Sequence, residues 1–416
     1  MNIIVYFLFG SFSLGAKALY GHVYVVEIAL IMTIICLPLL LLSGGNKRNN
    51  RIIALDVLVA LFLLFNIISV MVGSESFYES AKHYRYMVLT PVLIYAVVRY
   101  IPVSTDVLIK GLYCIVGGTL VQSIFFIRYY WVYGERAENV GSLITDTITM
   151  SILLCISICI LFYRRNFDIS NYRKVLAMIT MVLLFAALIV GATRAPLVAT
   201  VVLVPFASKI WRSRKLRKLF SGSILGLLVL VLVVVVIKDP SVGTIQVENE
   251  REIRGTVERL YTPELYLKDL EERLNMWSKL VWQALDRPVL GSGSASYRVG
   301  SRADVGFQLG SAHNMLISAL ITSGLPGLLL LLILIGATYH CLNKTTEESD
   351  MAHALGTTLL VSYTVLILTS LTNDLSGGRA FIFFFLMALA ARLSLIDDDP
   401  SEPNEMLTRP GVMKLP

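Results

Sequence analysis

The chain has 416 residues, 56% of them apolar and 16% charged, with a formal net charge of +7 and a mean hydropathy of +0.71. So little charge cannot clothe a soluble globule of this length, which leaves a polytopic membrane protein and excludes a soluble enzyme or a nucleic-acid binder. At roughly 20 apolar residues per spanning helix, the length holds about a dozen spans plus one sizeable extramembrane segment.

In chain order, apolar runs predict all-α spans near 3–18, 22–43, 52–73, 84–101, 107–130, 141–163, 173–190, 194–210, 218–237, 313–340, 351–371 and 378–396. No signal-peptide cleavage pattern interrupts the first run. Basic residues set the orientation. Lys47, Arg48 and Arg51 lie in one connection, Arg164, Arg165, Arg173 and Lys174 in a second, and Lys209, Arg212, Arg214, Lys215, Arg217 and Lys218 in a third. They alternate with neutral or acidic connections such as Ser74–Ser80, and fall on one side when the N-terminus is cytoplasmic and the spans number about twelve. The expected layout is N-terminal membrane helices over 1–237, an external loop over 238–312, C-terminal membrane helices over 313–396 and a polar cytoplasmic tail over 397–416.

The middle of the loop reads as a helix. Thr262 can cap it, Pro263 suits its first position, and Leu270, Leu274, Trp277, Val281 and Ala284 recur at helical spacing. Asp286-Arg287-Pro288 ends it before the turn Gly291-Ser292-Gly293. The pattern fits an amphipathic helix on a membrane surface, a lid over a site, or both. Cys36, Cys114, Cys155, Cys159 and Cys341 lie in or beside apolar segments, so neither a disulfide framework nor a metal-ligand spacing is expected.

An ionised side chain at membrane depth costs a few kcal/mol or more and needs a reason. Arg194 stands in a short apolar turn between two spans, where it either snorkels to headgroups or binds an anion. Arg273 lies beside the loop helix's apolar stripe; alone, it reads as a solvated charge or a partner of Glu271 or Asp269. Lys82, Arg85, Arg136 and Arg379 fall at external span ends and could line a basic site. Among the histidines, His340 and His353 are cytoplasmic by topology, and His22 and His83 flank spans without a surrounding motif. His313 alone stands where the large loop re-enters the membrane. The first external loop carries no acid, and Asp397-Asp398-Asp399 lies on the tail, so no metal or other cofactor is expected.

The stretch Ser311–Gly327 reads S-A-H-N-M-L-I-S-A-L-I-T-S-G-L-P-G, with nine residues between Asn314 and Gly324. This His-Asn-x9-Gly pattern, together with Arg194 and the Arg273-x3-Trp277, Asp286-Arg-Pro288 and Gly291-x-Gly293 loop, resembles the O-antigen ligase and polymerase superfamily. The resemblance implies a metal-independent, inverting glycosyltransferase of the bacterial inner membrane with a periplasmic active site. In it His313 is the general base, Arg194 and Arg273 are catalytic cations on a diphosphate, and Lys82, Arg85, Arg136, Asn314 and Arg379 support donor binding. Neutral histidine suits a base, and guanidinium can hold phosphate oxygens bidentately without a metal. The implied partners are undecaprenyl-diphosphate-linked O-antigen, a lipid A–core acceptor and membrane lipids. O-antigen polymerase and protein O-oligosaccharyltransferase share these parts and remain open. A transporter of lipid-linked glycans is the non-enzymatic rival, although the charges gather at one face and no internal repeat is visible.

Overall fold

The computed structural model describes residues 2–14, 18–20, 23–43, 52–73, 77–133, 147–167, 171–190, 196–197, 199–200, 222, 226, 263–293, 312–345, 350–373, 375 and 378–395. Backbone polar groups in a bilayer need internal partners, which a helix supplies within one segment. The apolar runs accordingly become helices, α1 Asn2–Leu14, α2 Val25–Ser43 and α3 Ala54–Ile68, then, after the short polar helix α4 Phe77–Tyr84 that forms within the expected connection, α5 Thr90–Tyr100, α6 Thr105–Tyr133, α7 Thr147–Phe167 and α8 Asn171–Val190. The loop helix α9 spans Pro263–Leu285, followed by α10 Met315–Lys344, α11 Asp350–Ser370 and α12 Gly378–Leu393. Wider π-helical turns, Ser69–Gly73 and Arg85–Leu89, extend α3 and open α5.

The helix α9 starts at Pro263, as its sequence predicts. The first two expected spans need correction at their shared end. Helix α1 stops at Leu14, and Ala18–Tyr20 pairs antiparallel with Val23–Tyr24 before α2 begins at Val25. Hydropathy alone runs through this point, whereas the aromatic and β-branched residues there favour extended pairing. Among the described residues, Ala54–Gly73, Val107–Tyr129 and Met315–Lys344 are long and apolar enough to cross a membrane. The expected spans 194–210 and 218–237, the loop start 238–262 and the tail lie almost wholly outside the described residues.

Packing follows the apolar faces. Helix α1 lies on α6, α7 on α8, α3 and α9 on α10, and α5 on α12. Helix α12 is apolar all round and buried along its length, which places it at the bundle centre. Phe9 and Phe12 pack on its Phe385, with ring centroids 4.9 and 4.6 Å apart. Cys155 and Cys159 are both buried and unbridged, so their i, i+4 spacing serves packing.

Away from His313, buried charges tie the opposite end of the bundle together. Asp56 accepts from Ile53 N at 2.9 Å in the first turn of α3 and from Tyr95 Oη at 2.7 Å. The wholly buried Arg99 pairs with it at 3.3 Å. Arg392 donates to the carbonyls of Val98, Ile101 and Val103, satisfying acceptors that the end of α5 leaves open. These links hold α3, α5 and α12 in fixed register.

Candidate active site at the start of α10

Helix α10 begins with a pinned backbone. Asn314 is fully buried, and its Oδ1 accepts from Leu316 N at 2.9 Å and Ile317 N at 3.2 Å. That is an N-cap, satisfying donors the first turn cannot bond internally. Its Nδ2 donates across to Leu371 O at 2.9 Å, just past the end of α11. The next carbonyl, Thr372 O, accepts from Arg273 Nη1 of α9 at 2.8 Å. One turn along α9, Trp277 Nε1 donates to Ala312 O at 2.8 Å. His313 thus sits between two anchored residues, where α9, α10 and the end of α11 meet. It is half-buried and has a φ of +50°, a left-handed conformation uncommon outside glycine.

Separating the two tasks of Asn314 gives a testable ordering. Asn314→Ser keeps a capping oxygen but cannot reach Leu371 O, and should lose about 1 kcal/mol. Asn314→Ala loses cap and cross-link, and should lose about 2–3 kcal/mol. Thermal unfolding in detergent reads the order, and equal losses would mean that the cap contributes nothing, whereas wild-type stability in Asn314→Ser would mean that the Leu371 link contributes nothing.

The x9-Gly part of the pattern has a different task. Gly324 has φ +65° and ψ −170°, and breaks α10 in two. The turn 286–293 closes over the break. Ser292 N donates to Ile321 O at 2.8 Å, Gly293 N to Thr322 O at 3.2 Å, and Leu325 N to Pro288 O at 2.7 Å. A broken helix at membrane depth is tolerated when its freed groups find partners in this way. The approach leaves no room for side chains. A Cβ on Gly324 would stand 2.6 Å from Pro288 O, one on Gly291 2.6 Å from Ile321 O, and one on Gly73 2.9 Å from Gly291 O. Ser69 Oγ lies 2.6 Å from Leu290 O and 2.7 Å from Thr322 O, Ser323 Oγ donates to Asn66 Oδ1 at 2.7 Å, and Arg287 Nη1 donates to Gly73 O at 3.1 Å. The two glycine patterns of the sequence are two halves of one interlock that seats α9 over α10.

The remaining expected residues divide. Arg379 is half-buried in the first turn of α12, a short connection after the Leu371 and Thr372 carbonyls. Lys82 ends α4, and Arg85 opens the π-helical turn that packs on α3, α4, α5 and α12. Helix α4 also contacts the Ser69–Gly73 turn of the interlock. Arg194 and Arg136 lie outside the described residues. Sequence reading missed Glu27, an acid only 8% exposed in the first turn of α2. Its signal was present: a lone carboxylate in an apolar run. Asn66 and Ser69 left no comparable signal, because their roles depend on contacts with residues more than two hundred positions away.

Apolar helices, three of them among the described residues long enough to cross a bilayer, are those of a membrane protein, and a buried polar cluster gathers at the start of α10. A family model described as O-antigen ligase matches residues 179–332, the stretch that carries Arg194, Arg273 and His313–Gly324. This match supports membership of the O-antigen ligase-like superfamily. No curated protein matches the chain.

Proposed function

We propose that the protein is an O-antigen ligase: a metal-independent, inverting glycosyltransferase that moves O-antigen from undecaprenyl diphosphate to lipid A–core at the periplasmic face of a bacterial inner membrane. The observation that carries this reading is the meeting of Arg273, Trp277 and the Leu371–Thr372 carbonyls around a strained, half-buried His313. His313 takes the proton of the acceptor hydroxyl as its oxygen attacks the anomeric carbon from the face opposite the diphosphate. The carbon–oxygen bond to phosphate breaks, and the undecaprenyl diphosphate leaves with the electron pair. Arg194, Arg273 and the weaker cations Lys82, Arg85, Arg136 and Arg379 balance its charge. Arg273 also holds α9 to α11 through Thr372 O, so Arg273→Lys, which loses the planar fork, should restore little activity to that site.

The test combines purified protein, lipid-linked O-antigen and rough lipopolysaccharide with excess chelator. Smooth lipopolysaccharide is expected. Strict metal dependence, or no product, counts against the reading. With a second lipid-linked repeat as sole acceptor, an elongated lipid-linked glycan identifies a polymerase instead.

A further inference from the structure

Glu27 and Arg85 form a pair that fold stability does not explain. The Glu27 side chain is 11% exposed and the Arg85 side chain 42%, with Arg85 Nε 3.4 Å from Glu27 Oε1. Thr90 Oγ1 donates to the same carboxylate oxygen at 2.9 Å. Sinking a carboxylate among apolar helices carries a large desolvation cost. An ion pair whose cation is this open to solvent returns much less than that. An apolar residue at position 27 would serve packing better.

The surroundings point toward an anion. Arg85 starts a π-helical turn, a rare geometry that recurs at functional sites. Lys82 is one turn earlier, and the guanidinium carbon of Arg85 lies 5.5 Å from the ring centre of Tyr86. The turn packs on α12, which opens with Gly378-Arg379. Held by a fixed carboxylate on one side and an aromatic ring on the other, the Arg85 side chain has lost much of the rotamer freedom that anion binding would otherwise cost.

We propose that Glu27 is a positioning residue: it orients Arg85, and Arg85 holds the diphosphate of a lipid-linked substrate. The identity of the anion rests on the function proposed above; the orienting role rests on the Glu27–Arg85–Thr90 geometry. Glu27 touches no substrate and acts only through the arginine. Neutralising the carboxylate leaves the cation in place but unordered, so the loss of orientation outweighs the gain in net positive charge.

Farnesyl diphosphate, with farnesol as the uncharged control, probes the site by calorimetry on full-length protein in nanodiscs. Glu27→Gln keeps an oxygen for Thr90 and removes the charge. It should weaken farnesyl diphosphate binding about tenfold and leave farnesol binding unchanged. Arg85→Gln should weaken it further, and the double variant should be no worse than Arg85→Gln alone, because one residue acts through the other. In the transfer assay Glu27→Gln should raise donor KM about tenfold with kcat within about twofold, the signature of lost uniform binding. Should Glu27→Gln fail to accumulate, Arg85→Lys keeps the ion pair without the fork and should show the same selective loss. Wild-type affinity in Glu27→Gln, or single-variant effects that multiply in the double, overturns the proposal, as does absence of farnesyl diphosphate binding by the wild type. Binding in the expected pattern without glycan transfer would instead sink the proposed reaction and leave the orienting role standing.

Discussion

A His313→Gly protein is expected to unfold at the same or a higher temperature than the wild type and to turn over about 10²–10⁴-fold more slowly. The size of the activity loss is that of a general base removed. The stability expectation comes from the backbone. At φ +50° an L-residue carries strain that glycine does not, of the order of 1–2 kcal/mol. The flanking anchors, Trp277 to Ala312 O and Asn314 to Leu371 O, do not involve the imidazole and hold the same backbone in the variant. Stability and activity should therefore move apart, as they do where strain is kept for function. His313→Ala should be as inactive and, lacking glycine's relief, no more stable than the wild type. His340→Ala, exposed near the far end of α10, is the control and should retain activity. Thermal unfolding in detergent and single-turnover glycan transfer measure both quantities. Wild-type turnover in a folded His313→Gly protein would remove the histidine from the mechanism.

The second large effect is expected at Gly324. Gly324→Ala forces a Cβ to 2.6 Å from Pro288 O and 2.7 Å from Val289 C, both backbone atoms that cannot swing away. It also places an L-residue at φ +65°. Overpacking costs about 1–3 kcal/mol and the left-handed backbone about 1–2 more, which together is a large fraction of a typical domain's stability. The cheapest relief is for the turn 286–293 to lift away, taking α9 with it. Arg273 and Trp277 then leave Thr372 O and Ala312 O, and activity falls although no expected catalytic residue has changed. Gly291→Ala meets the other half of the same contact and should behave alike. Protease susceptibility of the loop, read beside thermal unfolding and transfer, distinguishes this route from a local loss: an intact loop in an inactive Gly324→Ala protein would contradict it.

Much of the candidate site was legible before the fold. The positions of His313 and Asn314 followed from a polar loop meeting an apolar run, and the start of α9 at Pro263 followed from local helix chemistry. The functional weight of Arg273 rested on resemblance; its tie to Thr372 O gives it a structural task as well. Glu27 could have been singled out as a buried acid, although its partner could not. The glycines were visible as two separate patterns, with nothing local to say that they touch.

Hydropathy and capping are local properties, readable within one turn or one span, and they determined the class of the protein, most of its described helices and the place where the loop meets α10. The tertiary structure decided which distant backbone groups meet: Leu371 and Thr372 with Asn314 and Arg273, Pro288 with Gly324, and Glu27 with Arg85. Such pairings depend on the axial register of packed helices. A shift of one turn, 5.4 Å, would leave every span as apolar as before and separate all of these contacts.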